Sequence, residues 1–347
     1  MTLIAPSRLR LDSSALIANW KTMARMSGAA ATGAAVKADA YGLGACEVVP
    51  KLWEAGCRDF FVAHWSEAAA IAKLVPPGNI AVLNGISSDD MAAAKEIGAI
   101  PVLNTAKQIS AWKAGGGGRC HLMLDSGINR LGLGPEQIDA QLLEGLEIDI
   151  LMSHLASADE DVDQNRRQLA MFHQASQNIS ARRKSLANSA GIALGKDYCF
   201  DLTRPGLAVY GGVPRNELSS EIKQVVWPEA RILQIRQLDA GIPVGYNATF
   251  TTRECSVLAT ISVGYADGYF RGFSNSGFCR LDLDRFPVVG RVSMDLVTVD
   301  ISNSSSQLAE GDWLAMEFEL NGAAAASGVS QYELLTGLGR RYSRHWI

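Results

Sequence analysis

The amino-acid sequence predicts an α/β protein, a (β/α)8 TIM-like barrel followed by a C-terminal all-β domain. Three observations carry this. The chain has 347 residues, more than one small module needs. Its first two-thirds alternate apolar runs with helix-period stretches, and the apolar runs number about eight, each reading as a strand buried on both faces. Near Trp227 the alternation stops, and short strands divided by turn residues take over. The domains are therefore expected at residues 1–226 and 227–347.

The elements follow in order. SSALIANWKTMARM (13–26) has helical spacing and a serine start signal. ATGAAVKADA is a short apolar run, and ACEVVPKLWEAG reads as a helix closed by Gly56. The pairs FFVAH and SEAAAIAKLV, IAVLNG and SSDDMAAAKEIG, and IPVLN and TAKQISAWKAG repeat the pattern. RCHLMLDSG and IDILMSHLAS are further strands, DVDQNRRQLAMFHQASQN is a helix, and KSLANSAG and DLTRPGLAVYG finish the series. Eight such units in about 230 residues favour a closed barrel over an open sheet. The glycines at 115–118 precede no helix start and read as a loop, not a phosphate cradle. Beyond Trp227, VVWPEARILQIRQLDAG, SVLATISVGYADG, FCRLDLD, RFPVVGRVSMDLVTVDIS and DWLAMEFEL are strand-like, with a helical pattern only in the last stretch, SQYELLTGLGRRYSRHWI.

Composition narrows the function. Hydrophobic residues make up 48% and charged residues 20%, enough for a packed core and against disorder. The net charge of -4 leaves no basic excess to meet a phosphate backbone, so no nucleic-acid partner is expected. No apolar run reaches the roughly 20 residues that span a bilayer. The opening MTLIAPSRLRLDSSA lacks the apolar core of a secretory signal. The six scattered cysteines form no CxxC pair and read as reduced cytoplasmic thiols, with no metal site.

Lys37, in GAAVKADAYGLG, ends an apolar strand. Either its stem is buried and its head reaches water, or its amine sits desolvated at the barrel mouth, ready to form a Schiff base with a carbonyl cofactor. Barrel active sites gather at that face. Arg204 ends the last barrel strand, and Asn188-Ser189-Ala190-Gly191 ends the one before. Backbone N–H groups near Ser189, Gly206 and Leu207 could hold a phosphate, though two ordinary glycine loops would look the same. His154 reads equally as a core histidine, and Arg130 as a loop arginine.

At this point the motifs VKADAYGLG, DSGINRLG, SHLASADE, NSAG, RPGLAVYGG, VGYNATF, VGYADGYFR and GRVSMD, in this order, resemble the alanine racemase family. The resemblance runs from about Lys37 to Asp295 and implies a pyridoxal 5'-phosphate barrel, a β-domain and a head-to-tail homodimer that interconverts L- and D-alanine. Carried over motif by motif, Lys37 matches the aldimine lysine and the base for D-alanine, and Tyr246 the tyrosine base for L-alanine, contributed by the partner subunit. Tyr41, Ser189, Gly206 and Leu207 match phosphate contacts, and Arg204 the arginine facing the pyridine nitrogen. Arg130 and Met294 match groups at the substrate carboxylate. His154 matches the link between the tyrosine and that arginine. Asp159, Tyr265, Arg271 and Arg291 match the substrate corridor.

The chemistry is coherent on its own terms. Racemisation removes a proton from one face of Cα and returns one to the other, so two opposed groups are the natural solution. An arginine beside the pyridine nitrogen holds its own proton and weakens the electron sink, which disfavours transamination. Two departures stand out. Many relatives of this kind carry a carbamylated lysine where this chain has Met123, which cannot supply the negative charge that would orient Arg130. A bound anion such as chloride is the favoured replacement, against a neighbouring carboxylate or a less ordered Arg130. Near the C-terminus, Arg340 or Tyr342 would take the place of a phosphate-contacting tyrosine. A barrel decarboxylase of basic amino acids, a racemase of broader range (serine or basic amino acids) and a non-catalytic cofactor carrier are the competing functions. Both D-alanine supply for peptidoglycan precursors and D-alanine breakdown would use the same site.

Overall fold

The structure, a computed structural model, describes residues 5–347. The first four residues of the opening segment lie outside the described residues. The chain forms two compact units, Leu16–Lys223 and a second made of the chain up to Ala15 with Gln224–Ile347.

In the first unit, seven parallel strands lie side by side in chain order: Ala34–Ala35, Phe60–Val62, Ile80–Val82, Ile100–Leu103, Arg119–Met123, Glu147–Met152 and Arg183–Ser185. Leu202–Thr203 closes the ring. It pairs in parallel with Ala31–Thr32, while the N–H groups of Asp201 and Arg204 donate to the carbonyls of Lys184, in the preceding strand, and of Ala187, just beyond it, at 3.0 and 2.9 Å. Gly33 lies between Ala31–Thr32 and Ala34–Ala35, where a Cβ would stand 2.6 Å from the Asp59 carbonyl. The result is the expected TIM-like barrel.

The helices begin and end where side-chain chemistry directs. Asp12 Oδ1 takes the Ala15 N–H at 2.9 Å and starts Ser13–Met26. Thr105 Oγ1 takes the Gln108 N–H and starts Ala106–Ala114. Ala45–Ala55 stops at Gly56, whose φ of 112° suits glycine. Strand side chains such as Phe60, Phe61 and Val62 are fully buried, each worth roughly 1.5–3 kcal/mol. An ion cluster around the buried Asp149 carboxylate joins Asp59, Arg183 and the largely exposed Arg182, and His121, 3% exposed, lies in its field.

The second unit is built on a sheet in the order Asp284–Pro287, Phe278–Leu281, Trp313–Met316, Val226–Leu238, Ser7–Leu11 and Ser343–Trp346. Ser256–Ile261 and Val297–Asp300 extend it from the far half of Val226–Leu238, past a bulge at Ile232/Gln234. The sequence reading placed residues 1–226 in the barrel, whereas Ser7–Leu11 is an inner strand of this sheet, antiparallel to Val226–Ala230 and parallel to the C-terminal strand. Two short helices, Leu320–Ser327 and Gln331–Thr336, interrupt the β-pattern. The first has no counterpart in the expected elements. A hairpin, Pro243–Val244 with Phe250–Thr251, projects from the unit on a cluster of Val244, Leu258 and Val289. Among the described residues no helix is long and apolar enough to cross a membrane.

Candidate active site

Lys37 follows the strand Ala34–Ala35, at the C-terminal mouth of the barrel. The next four residues, Ala38 to Tyr41, all have φ between 53° and 55°, a left-handed turn that costs about 1–2 kcal/mol per residue. Glu67 compensates, its carboxylate taking the N–H groups of Ala38 and Ala63 at 2.6 Å and of His64 at 3.2 Å. Asp39 Oδ1 takes the Ala45 N–H at 2.7 Å. The turn aims Lys37 away from a helical path and seats Tyr41, whose ring stacks on Tyr210 at 4.7 Å. Burial holds the Lys37 amine below the usual lysine range; Arg130 and Arg204 push the same way and Glu67 opposes them. This supports the desolvated amine over a head that reaches water freely.

Ser189 and the loop after Leu202–Thr203 form one cradle. Ser189 Oγ, 2% exposed, accepts the N–H groups of Gly206 and Ala208 at 3.0 and 3.2 Å. Leu207 is also buried, and no acceptor among the described residues takes its N–H. A buried donor without a partner is costly and points to a ligand oxygen. A Cβ on Gly206 would collide with the Tyr41 hydroxyl, so glycine keeps phenol and backbone in contact. The Ser189 hydroxyl and the Leu207 N–H fit the phosphate of a phosphorylated carbonyl compound, and the Lys37 amine fits its carbonyl.

Arg204 is 7% exposed. Its guanidinium donates to Ser185 Oγ, to the Ser153 carbonyl at 2.6 Å and to the Leu186 carbonyl at 3.5 Å. Burial pushes its pKa down to about 10, so it stays cationic at neutral pH. His154 is pushed down to about 3 by burial and by the cations Arg204, Arg130 and Lys37, and is neutral. Gln168 holds its loop, donating to the His154 carbonyl at 3.0 Å and accepting from Ala156 N–H at 2.9 Å.

The DSGINRLG loop winds around one carboxylate: Asp125 accepts the N–H groups of Gly127, Ile128, Asn129 and Arg130. The Arg130 guanidinium is exposed and, among the described residues, meets no carboxylate within ion-pair distance. Of the two expected replacements for the missing negative charge, a neighbouring carboxylate is thus not found among the described residues. Met123 is buried, and its Cγ would stand 2.9 Å from a Cβ at Gly132. Asp159 is exposed in the loop that Arg215 pins through the Ala158 carbonyl at 3.1 Å.

The remaining expected residues belong to the other unit. Tyr246 stands at the tip of the projecting hairpin, 68% exposed, its hydroxyl without a partner among the described residues. Arg291 N lies 3.7 Å from the Cβ position of Gly245, beside that tip. Tyr265 lies under the Arg271 guanidinium at 5.1 Å. Its loop is bonded to the Met294 loop: Tyr265 N–H donates to Ser293 and Ala266 N–H to Met294, both at 3.1 Å. Of the C-terminal candidates, Tyr342 is buried and Arg340 exposed. Sequence reasoning missed Glu67, Ser185 and Ser153. Only Glu67 left a trace, as an acidic residue in the first turn of Trp65–Ile71.

Two family models match, described as the N-terminal domain of alanine racemase over residues 11–214 and its C-terminal domain over residues 225–346. A catabolic alanine racemase of Agrobacterium fabrum is 42% identical, over 99% of this chain and 92% of that protein. The crystal structure of alanine racemase from Bartonella henselae, with covalently bound pyridoxal phosphate, superposes with a TM-score of 0.91 at 38% identity, covering 99% of this chain and 100% of that one. The biosynthetic alanine racemase of Pseudomonas aeruginosa also gives 0.91, at 31% identity and with the same coverage.

Proposed function

The chain belongs to the alanine racemase family, and on that ground we propose that it interconverts L- and D-alanine with pyridoxal 5'-phosphate as cofactor, at sites shared between two copies of the chain. The observation that carries the reading is the desolvated Lys37 amine at the barrel mouth, four residues before Tyr41, whose hydroxyl lies against Gly206 in the cradle of Ser189 and Leu207.

Tyr41, Ser189, Gly206 and Leu207 would hold the cofactor's phosphate, Lys37 its carbonyl carbon, and Arg204, steadied by Ser185 and Ser153, its ring nitrogen. Bound there, pyridoxal phosphate supplies the electron sink that acidifies the Cα–H of an amino acid. Lys37 Nζ, its pKa below the usual range, gives up and takes back a proton on one face of Cα. Tyr246 Oη does so on the other. Arg204 keeps its own proton, and neutral His154 adds no further charge beside it. Arg130 and the Met294 N–H meet the substrate carboxylate. Asp159, Tyr265, Arg271 and Arg291 line its approach.

A head-to-tail homodimer accounts for the exposed Tyr246 and for its exposed apolar neighbours in the same unit, Ile242, Met294 and Leu296. Six free cysteines, four of them buried, fit a reducing compartment, and we place the enzyme in the cytoplasm. The test is a circular-dichroism assay with each alanine enantiomer. Tyr246→Phe should lose about 10²–10⁴-fold in kcat/KM, equally in both directions because the equilibrium constant is one, while the cofactor's absorbance is retained. Mixing Tyr246→Phe with Lys37→Ala chains should restore up to about a quarter of wild-type activity through hybrid dimers. Absence of recovery after subunit exchange would reject the shared site.

A further inference from the structure

We propose that Arg341 is a positioning residue: it clamps the Tyr265 loop to the Met294 loop and so sets the affinity for the substrate carboxylate. This rests on the assignment of Met294 and Tyr265 made above.

Three segments of one unit interlock. The Gly264–Gly268 loop lies so close to Ser293-Met294 that a Cβ on Gly264 would strike both carbonyls. Gly268, at φ 90°, is pressed in the same way against the Gly337 carbonyl. Gly339 N–H donates to the Asp267 carbonyl at 3.2 Å.

Arg341 ties them with every arm of its guanidinium. Nε and one terminal nitrogen form a fork on Asp267, at 2.6 and 2.7 Å, and the other terminal nitrogen reaches Asp295 at 2.7 Å. Asp267 is 2% exposed and also takes the Gly264 N–H at 3.0 Å. Asp295 directly follows Met294, whose N–H has no acceptor among the described residues. The fork is geometry that lysine cannot reproduce. Arg341 itself touches neither Tyr265 nor Met294 in any contact described; its action is through the two carboxylates.

Removing the arginine outright would strand the buried Asp267 carboxylate, so the informative variants are Arg341→Lys and Asp295→Ala. Both should raise KM for L- and D-alanine by the same factor, about fivefold or more, with kcat changed less than about twofold. The double variant should be no worse than Arg341→Lys alone, because the two residues act as one unit. Hydrogen exchange should quicken at the Ala266 amide, which bridges the loops. Unchanged KM, additive effects in the double variant, or unchanged exchange at Ala266 each overturns the clamp. A wild-type enzyme inactive on alanine overturns the functional reading instead, and the exchange experiment then decides the clamp by itself.

Discussion

Gly206 shows how one residue governs a site by what it lacks. Its bare Cα lets the Tyr41 phenol rest against the backbone that is tied to Ser189 Oγ and precedes the unpartnered Leu207 N–H. In Gly206→Ala the new methyl must displace that phenol or the loop, and overpacking of this kind costs about 1–3 kcal/mol. Pyridoxal phosphate should be held about tenfold less tightly or worse, read as loss of visible absorbance on dialysis, with folding intact by far-ultraviolet circular dichroism. Arg204 illustrates the converse. It is legible in the sequence because it ends a strand in a distinctive motif, but the partners that aim it, Ser185 Oγ and the Ser153 carbonyl, are not. A serine in a short strand and a backbone oxygen carry no mark of the side chain that will dock on them.

Among the elements, the left-handed turn after Lys37 is the most demanding. Four consecutive residues, none of them glycine, occupy a region that L-residues avoid. Glu67 meets three N–H groups around it. Glu67→Ala leaves those donors to find other partners and should lower unfolding free energy by about 1–3 kcal/mol, measured in urea, while Glu67→Gln should recover part of the loss. The turn was hidden in the sequence because KADAY contains no glycine, and its one residue that tolerates positive φ, Asp39, does not announce a run of four. The barrel elements were open to reading for the opposite reason: continuous apolar runs, helix-period stretches and stops such as Gly56 and Gly98 agree with one another. The strand Ser7–Leu11 was missed because SRLRL is short and charged. The helix Leu320–Ser327 was missed because NGAAAAS opens on weak formers and has little polar face to set its period.

At the scale of the molecule, stability should depend on acid through a group remote from catalysis. His121 is held neutral in the barrel interior. Burial, with Arg183, Arg119 and Arg182, outweighs Asp149 and pushes its pKa down to about 3. The unfolded chain takes up that proton below the usual value near 6.5, while the folded one does so only near 3, so stability falls as pH drops through this window. The slope is about 1.4 kcal/mol per pH unit from this residue. Urea midpoints at pH 7.5, 6 and 5 and at fixed protein concentration should show it, and His121→Gln should flatten the dependence by about that slope.

The same scale gives meaning to the strand Ser7–Leu11. It is translated before the barrel, yet its neighbours on both sides, Val226–Ala230 and Ser343–Trp346, are translated only after it. Throughout synthesis the nascent strand presents two open edges, an invitation to pair with other unfinished chains. Arg8 and Arg10 are a deterrent while it waits, since like charges repel a second copy. Both find their counterion in Glu229, at 2.5 and 3.2 Å, when the rightful neighbour emerges.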